Sequence, residues 1–345
     1  MTEKTTTGVA SASDADALVE TRGLSKHYPL HTNLPIVGRR RESLRAVDDV
    51  SMTIRRGETV GLVGESGCGK STFGRLLLHL EKPSSGDVRF EGEIVESSTL
   101  PRLRRRAQII FQDPFSSLNP RKTVRSTLEE VLAVHRVCPA HERRARVDDL
   151  LERVGLSADL AARRPRQFSG GQRQRIGIAR ALAVDPEFIV ADEPVSALDV
   201  SVQAQVLNLL TKLQDELKLT YLFISHNLGV VRHLSQRVVV MYLGRVVEEA
   251  PTGALFDEPL HPYTQALIRA VPEIDPDKAG ETTAAVEGDL PNPIHPPSGC
   301  HFHPRCRFAM DVCRIEYPHL REVAQGRAVA CHLYDGDPVR SASDA

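Results

Sequence analysis

The segment at residues 64–72, GESGCGKST, has the residue types needed to hold a phosphate group. Its glycines let backbone N–H groups turn inward around an anion, because no side chain intervenes. Lys70 adds a full positive charge, and the Ser71 hydroxyl can ligate Mg²⁺. The β-rich run TVGLV precedes the segment and the helical run STFGRLLLHL follows it, so a helix N-terminus also faces the anion. The pattern predicts a phosphate-binding loop formed by Gly64, Ser66, Gly67, Cys68, Gly69, Lys70, Ser71 and Thr72.

A second segment ends an apolar run with two carboxylates, Asp192 and Glu193. A buried strand that delivers an aspartate at its C-terminal edge can hold Mg²⁺, directly or through water. Glu193 would then lie where it can orient or deprotonate an attacking water molecule. Together with the phosphate loop, these residues predict a phosphate-loop ATPase or GTPase but do not distinguish between the two.

A third segment, FSGGQRQR at residues 168–175, combines a hydroxyl, two glycines and an amide at the start of a predicted helix. These features indicate a second anion-binding site, formed by Ser169, Gly170, Gly171 and Gln172. One chain therefore carries two phosphate-binding half-sites of different chemistry. The simplest arrangement places two chains face to face, with a nucleotide between the loop of one and the second half-site of the other.

The elements that must position these residues follow an α/β pattern. Short β-rich runs at residues 59–64, 188–192, 221–225 and 238–243 alternate with amphipathic helical stretches such as 200–217. This alternation favours a largely parallel sheet flanked by helices. The predicted divisions are a disordered N-terminus at 1–17, a nucleotide-binding domain at 18–271 with a helical subdomain at about 113–172, a linker at 272–299 and a Cys-rich C-terminal extension at 300–345.

Composition excludes some classes of protein. The formal net charge of −1 argues against a general nucleic-acid binder, which carries a basic excess. No stretch approaches the about 20 apolar residues needed to cross a bilayer, and the N-terminus lacks the basic start and apolar centre of a signal peptide. We therefore expect the chain in the cytosol, where disulfides are rare.

The order of the motifs resembles that of the ATP-binding subunits of ABC transporters, from about residue 18 to the end of the chain. Residues 64–72 resemble the Walker A loop of that family, and residues 188–193 resemble its Walker B strand with the catalytic glutamate. FSGGQ is similar to the LSGGQ signature, with Phe in place of Leu. The resemblance implies an ABC-type ATPase core with a helical subdomain, and it implies ATP and Mg²⁺ as ligands.

Four further positions match the family. Gln112 in IIFQDP matches the Q-loop, which senses Mg²⁺ and the membrane partner, and Asp199 in SALD matches the D-loop. His226 matches the switch histidine that contacts the γ-phosphate, and Tyr28 matches the aromatic residue that stacks on adenine. The resemblance implies catalytic roles for Glu193, His226 and Lys70, and Mg²⁺ binding by Ser71, Gln112 and Asp192.

A narrower resemblance lies in LFDEPLHPYTQALIRAVP, HPPSGCHFHPRC and FQDPFSSLNPR. These segments are similar to the dipeptide and oligopeptide importer ATPases, of the second of two ATPase types. The resemblance implies a peripheral protein on the cytoplasmic side of the membrane, paired with a different ATPase subunit beneath two membrane-spanning subunits and served by an extracytoplasmic solute-binding protein. The alternatives are a soluble ABC-type ATPase of DNA repair or translation, and an importer of another solute such as nickel or glutathione.

The C-terminal extension contains Cys300, Cys306, Cys313 and Cys331. Four thiolates are what an iron–sulfur cluster or a structural zinc ion requires. Zinc modules usually contain C-x2-C pairs, which the extension lacks, and wider spacing suits a cubane, whose irons are separated. Some members of the resembled family carry a 4Fe–4S cluster in a similar tail, so we predict such a cluster, with zinc or an unmetallated tail as alternatives. We expect it to brace the extension, far from the ATP site.

Overall fold

The computed structural model describes residues 16–30, 42–113, 118–270 and 291–336. Its strands are β1 (Ala17–Pro29), β2 (Ser43–Arg55), β3 (Thr59–Val63), β4 (Ser85–Phe90), β5 (Glu93–Ile94), β6 (Ala107–Ile110), β7 (Phe188–Asp192), β8 (Thr220–Ile224), β9 (Arg237–Tyr242), β10 (Arg245–Pro251), β11 (Arg321–Ala324) and β12 (Arg327–Val329). Its α-helices are α1 (Lys70–Leu77), α2 (Leu100–Arg106), α3 (Val124–Val134), α4 (Arg143–Arg153), α5 (Gly170–Leu182), α6 (Val200–Leu217), α7 (Leu228–Leu234), α8 (Thr252–Asp257), α9 (Pro262–Arg269) and α10 (Asp311–Ile315).

The main sheet has the strand order β11-β12-β10-β9-β3-β8-β7-β6 among the described residues. Strands β6, β7, β8, β3 and β9 are parallel, as the sequence predicts. Strands β3, β7 and β8 are buried at every position. Parallel strands covered by helices on both faces read as continuous apolar runs rather than alternating ones, which is why these strands were recognisable in the sequence.

The core is divided between the two faces of the main sheet. Ile189 and Ala191 pack with helices α5 and α6 on one face, whereas Phe188 and Val190 pack with α1 on the other face. Successive residues of a strand point to opposite faces, so one short strand contributes to both halves of the core. All four of these side chains are fully buried, and burial of a side chain as large as Phe188 contributes about 1.5–3 kcal/mol.

A separate antiparallel sheet with the order β2-β1-β4-β5 packs on the α1 side. It was not predicted from the sequence. Strand β1 shifts register against β2 at several points, including between Thr21 and Leu24. Such irregularities break the simple alternation of apolar and polar residues that marks a half-buried strand.

The helical region before α5 consists of α3, α4 and two short 3-10 segments, Ala158–Ala162 and Pro165–Gln167. The Thr123 hydroxyl caps α3 by accepting the Ser126 N–H. Val147, Leu150 and Leu151 of α4 are buried in the same core as α5. This content agrees with a helical subdomain near residues 113–172, although residues 114–117 lie outside the described part and the domain boundaries stay a prediction.

The C-terminal residues extend the main sheet. Strand β12 pairs with β10, and β11 pairs with β12, both antiparallel. Of the segment 1–17, which was predicted to be disordered, residues 1–15 lie outside the described part of the chain, and β1 begins at Ala17. Of the predicted linker, residues 272–290 lie outside the described part, and residues 291–299 contain no helix or strand. No helix in the described ranges has the length and apolar character needed to span a bilayer.

Candidate nucleotide-binding site

A cavity of about 510 Å³ lies at the C-terminal end of β3, where the phosphate loop leads into α1. Parallel strands deliver their following loops to this edge of the sheet, where α/β proteins bind ligands. The cavity is lined by ten of the predicted site residues: Tyr28, Ser66, Gly67, Gly69, Lys70, Ser71, Thr72, Gln112, Glu193 and His226. The structure thus brings together side chains that are up to 198 positions apart in the chain.

The phosphate loop requires glycine at two positions where its backbone lies very close to a neighbouring backbone carbonyl group. A Cβ atom at Gly69, where φ is 107°, would lie 1.9 Å from the carbonyl oxygen of Ala46. A Cβ atom at Gly64 would lie 2.1 Å from the carbonyl oxygen of Met241. The neighbouring backbone therefore allows this curvature only without side chains at these positions.

Lys70 is held beside the cavity by the loop itself. Its Nζ donates hydrogen bonds to the carbonyl oxygens of Gly64, at 2.8 Å, and Glu65, at 2.9 Å. Lys70 is only 4% exposed, so its ammonium group has few water molecules as hydrogen-bond partners. A phosphate oxygen is a stronger partner for a cation than a carbonyl oxygen, and it would attract Lys70 towards the cavity.

Ser71 and Asp192 form the expected oxygen site for Mg²⁺. The Ser71 hydroxyl donates to Asp192 Oδ1 at 2.7 Å. Burial raises the pKa of Asp192 above its ordinary value, and the hydrogen bond from Ser71 only partly offsets this effect. A buried carboxylate next to a hydroxyl provides the hard oxygen ligands that Mg²⁺ prefers, so these residues fit the ion that the family implies.

Glu193 lies between two other predicted site residues, Gln112 and His226. The Gln112 side-chain nitrogen donates to Glu193 Oε2 at 3.1 Å, and His226 Nδ1 lies 3.2 Å from the same oxygen. Glu193 also has a positive φ of 46°, an uncommon conformation for a non-glycine residue that is often found at functional sites. Its backbone N–H donates to the carbonyl oxygen of Ile224, which fixes the turn after β7.

The second predicted half-site does not line this cavity. The Ser169 hydroxyl accepts the Gln172 N–H, and the Gln172 side chain accepts the Ser169 N–H, which together form a capping box at the start of α5. Gly170 and Gly171 begin the helix behind them, and Asp199 stands at the N-terminus of α6. Within the described part of one chain, these residues and the phosphate loop therefore belong to separate sites.

Several cavity residues were missed by sequence reasoning: Leu44, Arg45, Ala46, Leu243, Gly244 and Pro293. Leu243 and Gly244 form the tight turn between β9 and β10, both with positive φ. The Gly244 N–H donates to the carbonyl oxygen of Cys68, which ties this turn to the phosphate loop. The glycine between two apolar runs signalled a turn, but nothing in the sequence indicated its place beside the loop.

Tyr28 lines the cavity, and its hydroxyl is already hydrogen-bonded within the protein. The hydroxyl donates to the carboxylate of Glu81. Burial, followed by this hydrogen bond, raises the pKa of Tyr28 above its ordinary value. The phenol is therefore fixed at one end, and its ring is available to pack against an adenine base, as the resemblance implies.

Comparison with known proteins decides the family. Residues 47–196 match the family model described as "ABC transporter", and residues 247–313 match "Oligopeptide/dipeptide transporter, C-terminal region". The chain is 49% identical over 331 residues to the oligopeptide transport ATP-binding protein AppF of Bacillus subtilis, an alignment that covers 94% of this chain and 99% of AppF. The chain belongs to the ABC transporter ATPase family.

Two further similarities agree with this assignment. The dipeptide transport ATP-binding protein DppF of Haemophilus influenzae is 49% identical over 321 residues, covering 92% of this chain and 97% of DppF. The ATP-binding cassette MJ0796, solved as a dimer in a post-hydrolysis state with ADP and Pi, is 31% identical with a TM-score of 0.60 and covers 68% of this chain and 98% of its own. The α/β fold is that of an ABC ATPase, and the chain is an ATP-hydrolysing enzyme.

The C-terminal region of this ABC ATPase touches the nucleotide site. The Arg305 guanidinium forms two hydrogen bonds with the Glu65 carboxylate, each 2.9 Å long. Glu65 belongs to the phosphate loop, so part of the extension lies next to the ATP site, whereas the distance of a cluster from that site stays a prediction. The reason for this contact is that Phe302, just before the turn with Arg305, packs against Tyr242 at the end of β9 and against Tyr263, and β9 is the neighbour of β3.

Proposed function

We propose that this ABC ATPase couples ATP binding and hydrolysis to the uptake of di- or oligopeptides through partner membrane subunits. The observation that carries the proposal is the match of residues 247–313 to the oligopeptide/dipeptide transporter C-terminal region. AppF and DppF, which are each 49% identical to this chain over more than nine-tenths of its length, are named for oligopeptide and dipeptide transport. This support favours peptide uptake over the alternatives of DNA repair, translation, nickel or glutathione.

The cavity supports the following mechanism. Tyr28 receives the adenine, and the loop N–H groups with Lys70 bind the β- and γ-phosphates. Ser71, Asp192 and Gln112 would hold Mg²⁺, which neutralises part of the charge on the phosphates. Glu193 accepts a proton from the attacking water, because its carboxylate lies in the cavity beside Gln112 and His226.

We propose that the second half-site serves a partner chain. Ser169, Gly170, Gly171, Gln172 and Asp199 lie outside the cavity that holds Lys70, and the ends of α5 and α6 present them elsewhere. The N-terminus of a helix attracts an anion through its dipole and its first N–H groups. One ATP would therefore lie between Lys70 of this chain and the corresponding half-site of a related but different ATPase subunit, and Ser169 of this chain would face the ATP of that subunit. The pair would lie beneath two membrane-spanning subunits on the cytoplasmic side of the membrane. An extracytoplasmic solute-binding protein would deliver the cargo.

An uptake assay tests the proposed cargo. In cells that lack this gene, we expect uptake of a radiolabelled dipeptide and tripeptide to be lost, and to be restored by the wild-type gene but not by Glu193→Gln. Uptake of nickel and of glutathione serves as the matched comparison and should not change. Normal peptide uptake in the deletion, together with loss of nickel or glutathione uptake, would contradict the proposed cargo while leaving the ATPase assignment intact.

We also propose that the four cysteines hold a 4Fe–4S cluster. Cys300, Cys306, Cys313 and Cys331 line one small cavity, although they span 32 positions of the chain. Burial raises the pKa of Cys300 to about 11 and that of Cys331 to about 12. Metal coordination would displace these thiol protons.

All four cysteines line the same cavity, whose volume is about 10 Å³. In the described part of the chain, no three His, Cys, Asp or Glu side chains are grouped closely enough to hold a single metal ion. The support for a cluster is therefore the donor set, because four cysteine thiolates are the ligands that a 4Fe–4S cluster uses, and the residues around this small cavity would have to move apart to admit it. Zinc, the alternative, would require the same thiols to converge on one ion.

Anaerobic purification tests the cluster. We expect brown protein with broad absorbance near 400 nm, as is general for such clusters, and about four irons per chain. Cys313→Ser should remove the colour, whereas Cys138→Ser, which changes a cysteine outside the cavity, should keep it. Colourless protein with one bound zinc would replace the cluster with a zinc site, and colourless protein without metal would refute both.

A further inference from the structure

Arg305 joins the C-terminal region to the phosphate loop through a buried ion pair. It ends the 3-10 turn His303–Arg305, between Cys300 and Cys306. Its guanidinium binds both carboxylate oxygens of Glu65 at 2.9 Å, and its side chain is only 6% exposed. A two-point arginine–carboxylate pair fixes orientation as well as distance, so the contact determines where the Glu65 side chain lies.

Glu65 is anchored at three different groups. Its carboxylate binds Arg305, its backbone N–H donates to the Tyr263 hydroxyl at 2.8 Å, and its carbonyl oxygen accepts the Lys70 ammonium at 2.9 Å. Two of these partners come from the region after residue 260, and the third is the phosphate-binding lysine. The first turn of the loop is therefore held from outside the residues that form it.

The pair also solves an electrostatic problem. The loop receives a triphosphate with several negative charges, and Glu65 adds another negative charge to the same loop, next in sequence to Ser66, which lines the cavity. Arg305 compensates this charge in a partly buried setting, where charges are weakly screened. It also donates to the Tyr242 hydroxyl at 3.4 Å, so the guanidinium has polar partners on the protein side as well.

The turn that carries Arg305 is rigid. Phe302 is 3% exposed and packs against the rings of Tyr242 and Tyr263, with centroid distances of 5.4 Å to each. Within the turn, the Arg305 N–H donates to the carbonyl oxygen of Phe302. A fixed turn holds the guanidinium in place before nucleotide arrives, so little ordering entropy is lost on binding.

We propose that Arg305 is a positioning residue for ATP binding: it holds the phosphate loop at Glu65 and cancels the negative charge that would otherwise repel the triphosphate. The proposal goes beyond the transport function and depends neither on the cargo nor on the metal in the cysteine cavity. It gives the C-terminal region a direct role in the affinity for nucleotide.

A charge cycle on the full-length chain tests this role. The variants are Arg305→Met, Glu65→Gln, the double variant, and Arg305→Lys as the conservative change. Arg307→Met is the matched control, because Arg307 lies two residues away on the exposed side of the same segment, with its guanidinium 4.5 Å from the Phe308 ring centroid. Calorimetric titration gives the Kd for MgATP and for MgADP, and thermal unfolding reports the stability of each variant.

We expect Arg305→Met to raise the Kd for MgATP about tenfold, because the Glu65 carboxylate would lose both of its charge-assisted hydrogen bonds and remain uncompensated in the loop. The Kd for MgADP should rise less, because ADP carries less charge. Glu65→Gln in the Arg305→Met background should restore most of the affinity for MgATP, and Arg305→Lys should retain part of it.

Two results would overturn the proposal. One is a Kd for MgATP in Arg305→Met equal to that of Arg307→Met. The other is an equal loss of affinity in Arg305→Met and in the double variant, for both nucleotides, together with an equal fall in melting temperature, which would show a purely structural contact. Both results concern nucleotide affinity and stability, so neither affects the proposed cargo, which the uptake assay tests separately.

Discussion

Glu193→Gln is expected to lower ATP turnover by about 10²–10⁴-fold, the range for losing a general base, while MgATP binding stays intact. The physical reason is that Gln keeps the size of Glu193 and its contact with Gln112 but cannot accept a proton. Because hydrolysis is blocked after the nucleotide has bound, the pair of ATPase subunits should accumulate in the closed, ATP-bound state. Turnover is measured on the complex reconstituted with its membrane subunits.

Glu216→Gln is a suitable control, because Glu216 is exposed on α6 and pairs with Lys212 on the surface. It should hydrolyse ATP at the wild-type rate. Wild-type turnover in Glu193→Gln would show that another group activates the water, and loss of MgATP binding in that variant would show that Glu193 contributes to affinity rather than to the chemical step.

The second large effect separates the two half-sites. Lys70→Ala should weaken MgATP binding to the isolated chain by about 10–100-fold, the equivalent of losing charge-assisted hydrogen bonds of about 1.5–3 kcal/mol. Ser169→Arg should leave that affinity unchanged, because Ser169 does not line the cavity that contains Lys70. In the assembled complex, however, the added bulk and the lost capping hydroxyl should block closure and abolish hydrolysis.

Equilibrium titration on the isolated chain and turnover in the complex measure the two effects. Lys212→Ala, an exposed lysine on α6, controls for loss of charge and should change neither quantity. Equal loss of nucleotide affinity in Lys70→Ala and Ser169→Arg would contradict the shared site and favour a site complete within one chain.

Much of the parallel core could be predicted because its signals are local. The predicted strand at 188–192 and helix at 200–217 agree with β7 and α6 at both ends, and the other strands differ by one residue. Continuous apolar runs in buried parallel strands and the spacing of the phosphate loop both depend on neighbours in sequence. Residues 64–72 therefore indicate, by their types and spacing alone, where the phosphate end of the cavity lies.

The missing parts depend on contacts between distant residues. Strand β1 lacks regular alternation because of its register shifts, so the antiparallel sheet was not recognisable. Arg305 and Glu65 are 240 positions apart, and neither residue type alone indicates a pair. Leu243 was predicted as the end of a strand, whereas it forms a turn with Gly244. The hydrogen bond from this turn to the phosphate loop depends on how β9 packs beside β3.

The β11–β12 hairpin also determines how this molecule ends its main sheet. Without it, β10 would present an unpaired row of N–H and C=O groups, and such a row is a template for joining another chain. With it, the outermost described strand is β11, which is only four residues long and begins with the exposed charged residues Arg321 and Glu322. A short, charged border discourages sheet-to-sheet association. We therefore expect a chain shortened before residue 321, which lacks β11 and β12, to aggregate more readily than the full chain.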